Sequence, residues 1–227
     1  MSKPDFEKCT QLATELLYKQ NIQDRTLDIR NLKYDKTIIF ESIQNYCLLT
    51  HTPLSTFISD EKQTLKDGCT LVDKDNNLYV VLYNDEITYY EHLNWTLAHE
   101  IGHIYLGHTK DNELEEIEAH FFAAQLFMPE YSIFMMSKEY GTITPETLSE
   151  IFGVSPEAAW KRLRTMNRKN FYRSSRIDKE IWNIQRKRVE LYFECEKNPY
   201  KYRNYLSFML CTDEEAEMLW RMYSNAY

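Results

Sequence analysis

A chain of 227 residues, 43% hydrophobic and 14% aromatic, has the apolar content for one large domain or a domain with an appendage, which excludes wholesale disorder. Its net charge of -8 argues against a surface that is a nucleic-acid footprint throughout. No apolar run approaches the roughly 18 residues a membrane span needs, the first residues carry no apolar core of a secretory leader, and Cys9, Cys47, Cys69, Cys195 and Cys211 are scattered, odd in number and without a C-x-x-C pair, so they read as reduced thiols of a cytoplasmic protein.

From Pro4 to Gln20, Phe6, Cys9, Ala13, Leu16 and Leu17 recur at helical spacing, with Ser2 available as a cap. A second helix is expected over about 35–49, through Ile38, Ile39, Ile43, Tyr46 and Cys47. His51-Thr52-Pro53 ends it, because the residue before proline avoids the helical region; His51 itself reads as a surface or capping residue. Cys69–Asp73 and Asn77–Tyr83 are rich in β-branched and aromatic residues, and Lys74-Asp75-Asn76 between them suits a hairpin turn. A free edge on the second strand would hold an extended peptide by main-chain hydrogen bonds; pairing on both sides is the alternative.

The stretch Asn94–Gly107 contains His99-Glu100-Ile101-Gly102-His103, the pattern H-E-x-x-H. Histidines four apart lie one above the other on a helix face, so both imidazoles can reach one metal ion, and a glutamate beside the first can reach a water in the open coordination position. That is the geometry of zinc-dependent peptide hydrolysis. Leu97, Ala98, Ile101, Ile104 and Tyr105 mark the helix as mostly buried, and a mid-helix Gly102 is expected to admit another element at close range.

Gly107-His108-Thr109 breaks the helix, and His92 and His108 read as structural or surface residues. Asn112 with Glu115 reads as a capping box opening a helix from Glu113 to Met128, closed by Pro129. Thr144-Pro145 and Ser155-Pro156 each put a hydroxyl cap before a proline at the first helical position, giving helix, Gly153 turn, helix. Seven basic residues and no acidic one follow between Lys161 and Arg176; a solvated face is the commoner reading of such a run, with nucleic-acid contact the rival. A long helix from about Asp178 to Cys195 is expected to carry Ile181, Ile184, Arg188, Leu191 and Tyr192 on one stripe, and a last helix opens at Thr212 with Glu215. The fold class is therefore α+β and mostly helical, with one small sheet. Three divisions are expected: 1–140 around the motif, 141–176 as a helix-turn-helix-like segment with the basic run, and 177–227 as a helical C-terminal extension.

A catalytic zinc needs a third protein ligand. Glu116 shares its face with Ala119, His120, Ala123 and Phe127, whose two alanines permit close packing against Gly102, and it is the choice. Glu118, among Phe121, Phe122 and Gln125, and Glu115, along Ala119, Phe122 and Leu126, stay open as alternatives in that order.

The run H-E-I-G-H-I-Y-L-G-H from His99 to His108, followed by E-x-E-A-x-F-F-A-A-x-L-F-M-P from Glu116 to Pro129, resembles the ImmA/IrrE family of zinc metallopeptidases. The resemblance covers roughly residues 77–129 firmly and 142–163 more loosely. It implies a zincin-like helical core with a thermolysin-like site, zinc on His99, His103 and Glu116, and Glu100 as general base. It also implies a protein substrate, a helix-turn-helix repressor of a mobile element, a phage or a stress response. His120 stands where the family usually carries Asn or Asp, and would orient a ligand histidine with a single hydrogen bond. The oxyanion donor is open among His120, Tyr131 and Tyr140, by position only. The rival reading is a non-catalytic zinc protein that sequesters a repressor or contacts DNA; a retained Glu100 favours catalysis, and direct nucleic-acid binding is not expected.

Overall fold

A computed structural model of the chain describes residues 3–20, 27–59, 63–110, 112–166 and 174–197. Among them are eight helices, α1 (Phe6–Gln20), α2 (Ile43–Thr50), α3 (Tyr90–Leu106), α4 (Glu113–Phe127), α5 (Glu130–Tyr140), α6 (Pro145–Phe152), α7 (Pro156–Met166) and α8 (Arg176–Lys197), and three strands, β1 (Thr37–Ser42), β2 (Gly68–Asp73) and β3 (Leu78–Tyr83). The fold is α+β and mostly helical. Ser2, Cys211 and the helix expected from Thr212 lie outside the described residues, as do Arg168, Lys169 and Arg173 of the basic run. No helix of the described residues is long and apolar enough to cross a membrane. These residues form two compact units, one of 3–20 and 28–127, the other of 27, 128–166 and 174–197.

In the first unit the sheet order is β1-β3-β2, with β1 parallel and β2 antiparallel to β3. One expectation is corrected here. The helix expected over 35–49 is a strand up to Ser42 and a helix only from Ile43. Thr37, Ile38 and Ile39 are stiff at χ1 and favour a pleated surface, and β3 supplies the partner, Ile39 opposite Val80. Ser42 makes the switch, its Oγ accepting from the Asn45 N–H at 3.0 Å. His51 caps α2 in the left-handed conformation at φ 58°, as the capping reading required. Of the two alternatives for β3, pairing on both sides holds: it is the central strand, and β2 is an edge strand among the described residues. The β2–β3 turn is tied by Asp73, whose carboxylate accepts from the Asp75 and Asn76 N–H groups and the Asn76 amide.

Helix α4 packs on both α1 and α3, and its Ala119, Phe122, Ala123 and Leu126 are all buried. The α1 contact includes a buried hydrogen bond from Gln125 Nε2 to Thr14 Oγ1 at 2.9 Å, and Trp95 of α3 stacks on Phe127 at 5.8 Å between centroids. Gly102 decides how closely α3 and α4 approach. A Cβ there would lie 3.1 Å from the Ala119 carbonyl oxygen, 3.2 Å from its Cα and 3.3 Å from Phe122 Cβ. Those neighbours are backbone and Cβ atoms, which cannot swing aside. Gly102→Ala would gain about 1 kcal/mol of helix propensity against that crowding and is expected to change stability little. Gly102→Leu has no such offset and should cost about 1–3 kcal/mol or more by overpacking. Thermal unfolding of the two variants checks this, and equal melting temperatures would contradict the close approach.

In the second unit Pro129 follows the end of α4, as expected, and is also the N-cap of a further helix, α5. That helix was missed in the sequence. Ser132 Oγ of α5 donates to Gln185 Oε1 of α8 at 2.7 Å, and Tyr140 stacks on Phe193 at 4.1 Å. Thr144 caps α6, Gly153 ends it at φ 62°, and Ser155 Oγ accepts from the Ala158 N–H to start α7. The stripe on α8 is turned from the expected one: Ile181, Trp182, Gln185, Arg188, Val189, Tyr192 and Cys195 are buried, while Ile184 and Leu191 are only partly so. The basic run is not wholly solvated either. Arg162 is 1% exposed, with Nε donating to the Met128 carbonyl at 3.0 Å and Nη1 3.7 Å from Glu130, itself 3% exposed.

Candidate metal centre

Helix α3 runs unbroken from Tyr90 to Leu106, so His99 and His103 stand one turn apart on one face, and their Nε2 atoms are 3.0 Å apart. Helix α4, held close by Gly102, brings Glu116 to the same point: Oε2 is 3.2 Å from His99 Nε2 and Oε1 is 3.2 Å from His103 Nε2. One donor atom from each of the three residues lies within 4.8 Å of the others, which makes them a group able to hold a metal ion, the one such group among the described residues. Of the other two glutamates weighed, Glu115 accepts from the Thr109 and Lys110 N–H groups, and Glu118 accepts from the Asp5 N–H at 2.6 Å.

The charges suit the donor set. Glu116 is held down to about 2 by its hydrogen bond with His99, and burial, with the neighbouring His99, lowers His103 to about 4. At neutral pH the group therefore presents a carboxylate and a neutral imidazole, the protonation states a metal requires. Tetrahedral coordination at about 2.0–2.2 Å spaces neighbouring donor atoms by roughly 3.3–3.6 Å, close to the spacing found here. The chemistry of the donors and their separation fit zinc.

Glu100 is 8% exposed, and its Oε2 accepts from Thr70 Oγ1 of β2 at 2.7 Å. Burial pushes its carboxyl up from the usual glutamate range, with the Thr70 hydrogen bond opposing. Strand β2 reaches α3 because Gly68 has no side chain: a Cβ there would fall 2.7 Å from Thr96 Cγ2 and 3.5 Å from Glu100 Cγ.

The surroundings of His99 and His103 differ. His103 Nδ1 is 3.0 Å from His108 Nδ1, and His108 Nε2 is 3.1 Å from Glu118 Oε2. The His108 side chain is only 7% exposed, so of the two readings, structural or surface, the structural one holds. Gly107 turns the chain back at φ 75°, and the His108 N–H donates to the His103 carbonyl at 3.0 Å, which folds the His108 ring against that of His103. His99 Nδ1, by contrast, is buried without a hydrogen-bond partner among the described residues. His120 lies with its ring centroid 4.3 Å from that of His99, tilted by 47°, and is otherwise exposed. His92, exposed, pairs with Asp67 at 3.1 Å. Tyr131 and Tyr140 belong to the second unit, the first beside Phe134 and the second stacked on Phe193.

Sequence reading missed Thr70, Gly68 and the pairing of His108 with Glu118. The only signal for His108 was its place just past a glycine C-cap, five residues after a ligand candidate. Thr70 had none, since it meets Glu100 across 30 residues of chain.

Residues 52–164 match the Peptidase M78 family, described as the IrrE N-terminal-like domain. No curated protein matches the chain. The matched segment carries β2, β3, the helix with both histidines and the helix with Glu116. By that match, the chain belongs to the ImmA/IrrE family of metallopeptidases.

Proposed function

We propose that the chain is a zinc-dependent endopeptidase whose substrate is a helix-turn-helix repressor of a mobile element, a phage or a stress response. The observation that carries the reading is the convergence of His99, His103 and Glu116 with a buried carboxylate, Glu100, beside the first of them on the same helix. His99, His103 and Glu116 would hold the metal. When bound, zinc would polarise the scissile carbonyl and acidify a water.

Glu100 takes the proton from the attacking water and hands it to the leaving amine. Its raised proton affinity matches both steps better than that of an exposed glutamate, and Thr70 keeps its carboxylate oriented. His120, exposed against His99, is the oxyanion donor we favour over Tyr131 and Tyr140. The outer edge of β2 receives the substrate: it is an edge strand of the described sheet and touches the helix that bears Glu100. A segment that lies along a strand edge must leave its own secondary structure, which favours a linker or a locally opened stretch over a rigid core helix. The net charge of -8 steers a basic partner towards the chain, and no direct duplex binding is assigned.

Metal content tests the site. The wild type is expected to hold about one zinc per chain, and His99→Ala or His103→Ala to lose it, because two remaining ligands seldom hold a metal firmly. Full zinc by elemental analysis in either variant would refute the assignment.

A further inference from the structure

We propose that His108 and Glu118 form a proton-ordered relay that positions His103 for metal binding, and that their contact, absent at His99, makes His103 the firmer of the two histidine ligands. This rests on the zinc reading of the site above.

His103 turns Nε2 to Glu116 and His99, so a metal there takes the Nε2 lone pair and leaves the ring proton on Nδ1. That proton points at His108 Nδ1, 3.0 Å away, which must then accept. A neutral His108 that accepts at Nδ1 carries its own proton on Nε2, and Nε2 faces Glu118 Oε2 at 3.1 Å. The other carboxylate oxygen of Glu118 accepts from the Asp5 N–H just before α1, at 2.6 Å. One arrangement of protons thus satisfies the whole series: His103 Nδ1–H to His108, His108 Nε2–H to Glu118, Asp5 N–H to Glu118. Reversing the first bond would put the His103 proton on Nε2, where a metal ligand needs a lone pair.

The series is also built into the fold. The His108 side chain is 7% and that of Glu118 12% exposed, so water competes little for either bond. His108 is fixed by the helix C-cap at Gly107, and Glu118 by its place two residues after the ligand Glu116 on α4. The relay therefore links α3, α4 and the start of α1 at the metal site. His99 Nδ1, buried with no hydrogen-bond partner among the described residues, has no such support there.

The test is zinc affinity, measured by competition with a chromogenic chelator, together with the ring tautomers in the zinc-loaded wild type. Asn and Leu have nearly the same size, but only Asn offers an acceptor where His108 Nδ1 lies. His108→Leu is expected to weaken zinc binding about 10- to 100-fold, the usual effect of removing the partner of a ligand histidine. His108→Asn should recover most of that loss, and Glu118→Gln should show a smaller one. Two-bond proton–nitrogen spectra of the loaded wild type, which need no variant to fold, should show His103 protonated at Nδ1 and His108 at Nε2. Equal affinities for the Leu and Asn variants, or a His108 protonated at Nδ1, would overturn the relay while leaving the zinc site standing. A wild-type chain that takes up no zinc would overturn the site itself, and the relay with it.

Discussion

Glu100→Gln is expected to keep its zinc and its fold and to lose cleavage by about 10²- to 10⁴-fold, the contribution of a positioned general base. Glutamine has the size of glutamate and keeps an oxygen that can accept the Thr70 hydroxyl, so the 2.7 Å contact that orients the side chain survives. It also removes a charge from a position 8% exposed, so stability should not fall. What it lacks is a lone pair basic enough to take a proton from water. The measurement is kcat/KM on one substrate with zinc content determined on the same samples. Equal rates in the two proteins would remove Glu100 from the mechanism and favour a zinc protein that grips its partner without cutting it.

Arg162→Ala should destabilise the second unit by about 3–5 kcal/mol, the range for breaking a buried ion pair by removing one partner. The guanidinium is fully buried; its loss takes away the hydrogen bond to the Met128 carbonyl, the charge 3.7 Å from Glu130 and the packed alkyl stem together. Arg164, two residues on, is exposed and lies over the Trp160 ring at 5.0 Å. Arg164→Ala should therefore cost under about 1 kcal/mol. Denaturant unfolding of the pair separates the two arginines. A loss below about 1 kcal/mol for Arg162 would mean that its burial does not brace the unit.

What was legible in the sequence was local. The H-E-x-x-H spacing, the glycine between its last two positions, the 68–83 hairpin and the capped helices α6 and α7 each follow from residues a few positions apart, where helix or turn geometry fixes the outcome. Glu116 could be chosen over Glu115 and Glu118 for the same reason, since a 3.6-residue period alone points the three in different directions. The misreadings arose where a distant partner decides. Ile38, Ile39, Ile43 and Cys47 satisfy a helical spacing, yet Thr37–Phe40 pairs with Leu78–Val81, about forty residues along the chain. Pro129 fits the end of one helix as well as the cap of the next, and both occur within three residues. His108 meets Glu118 across two helices, and the burial of Arg162 depends on Glu130 and Met128; no period within one element encodes either contact.

Mass spectrometry of a helix-turn-helix repressor incubated with the zinc-loaded chain, with the Glu100→Gln protein alongside, tests whether the chain is a repressor-cleaving peptidase. One or a few discrete cuts are expected, in or beside the DNA-binding domain, in segments able to lie extended along β2, and none with the variant. An intact repressor in the presence of zinc-loaded enzyme, or indiscriminate digestion of any unfolded chain, would contradict that reading.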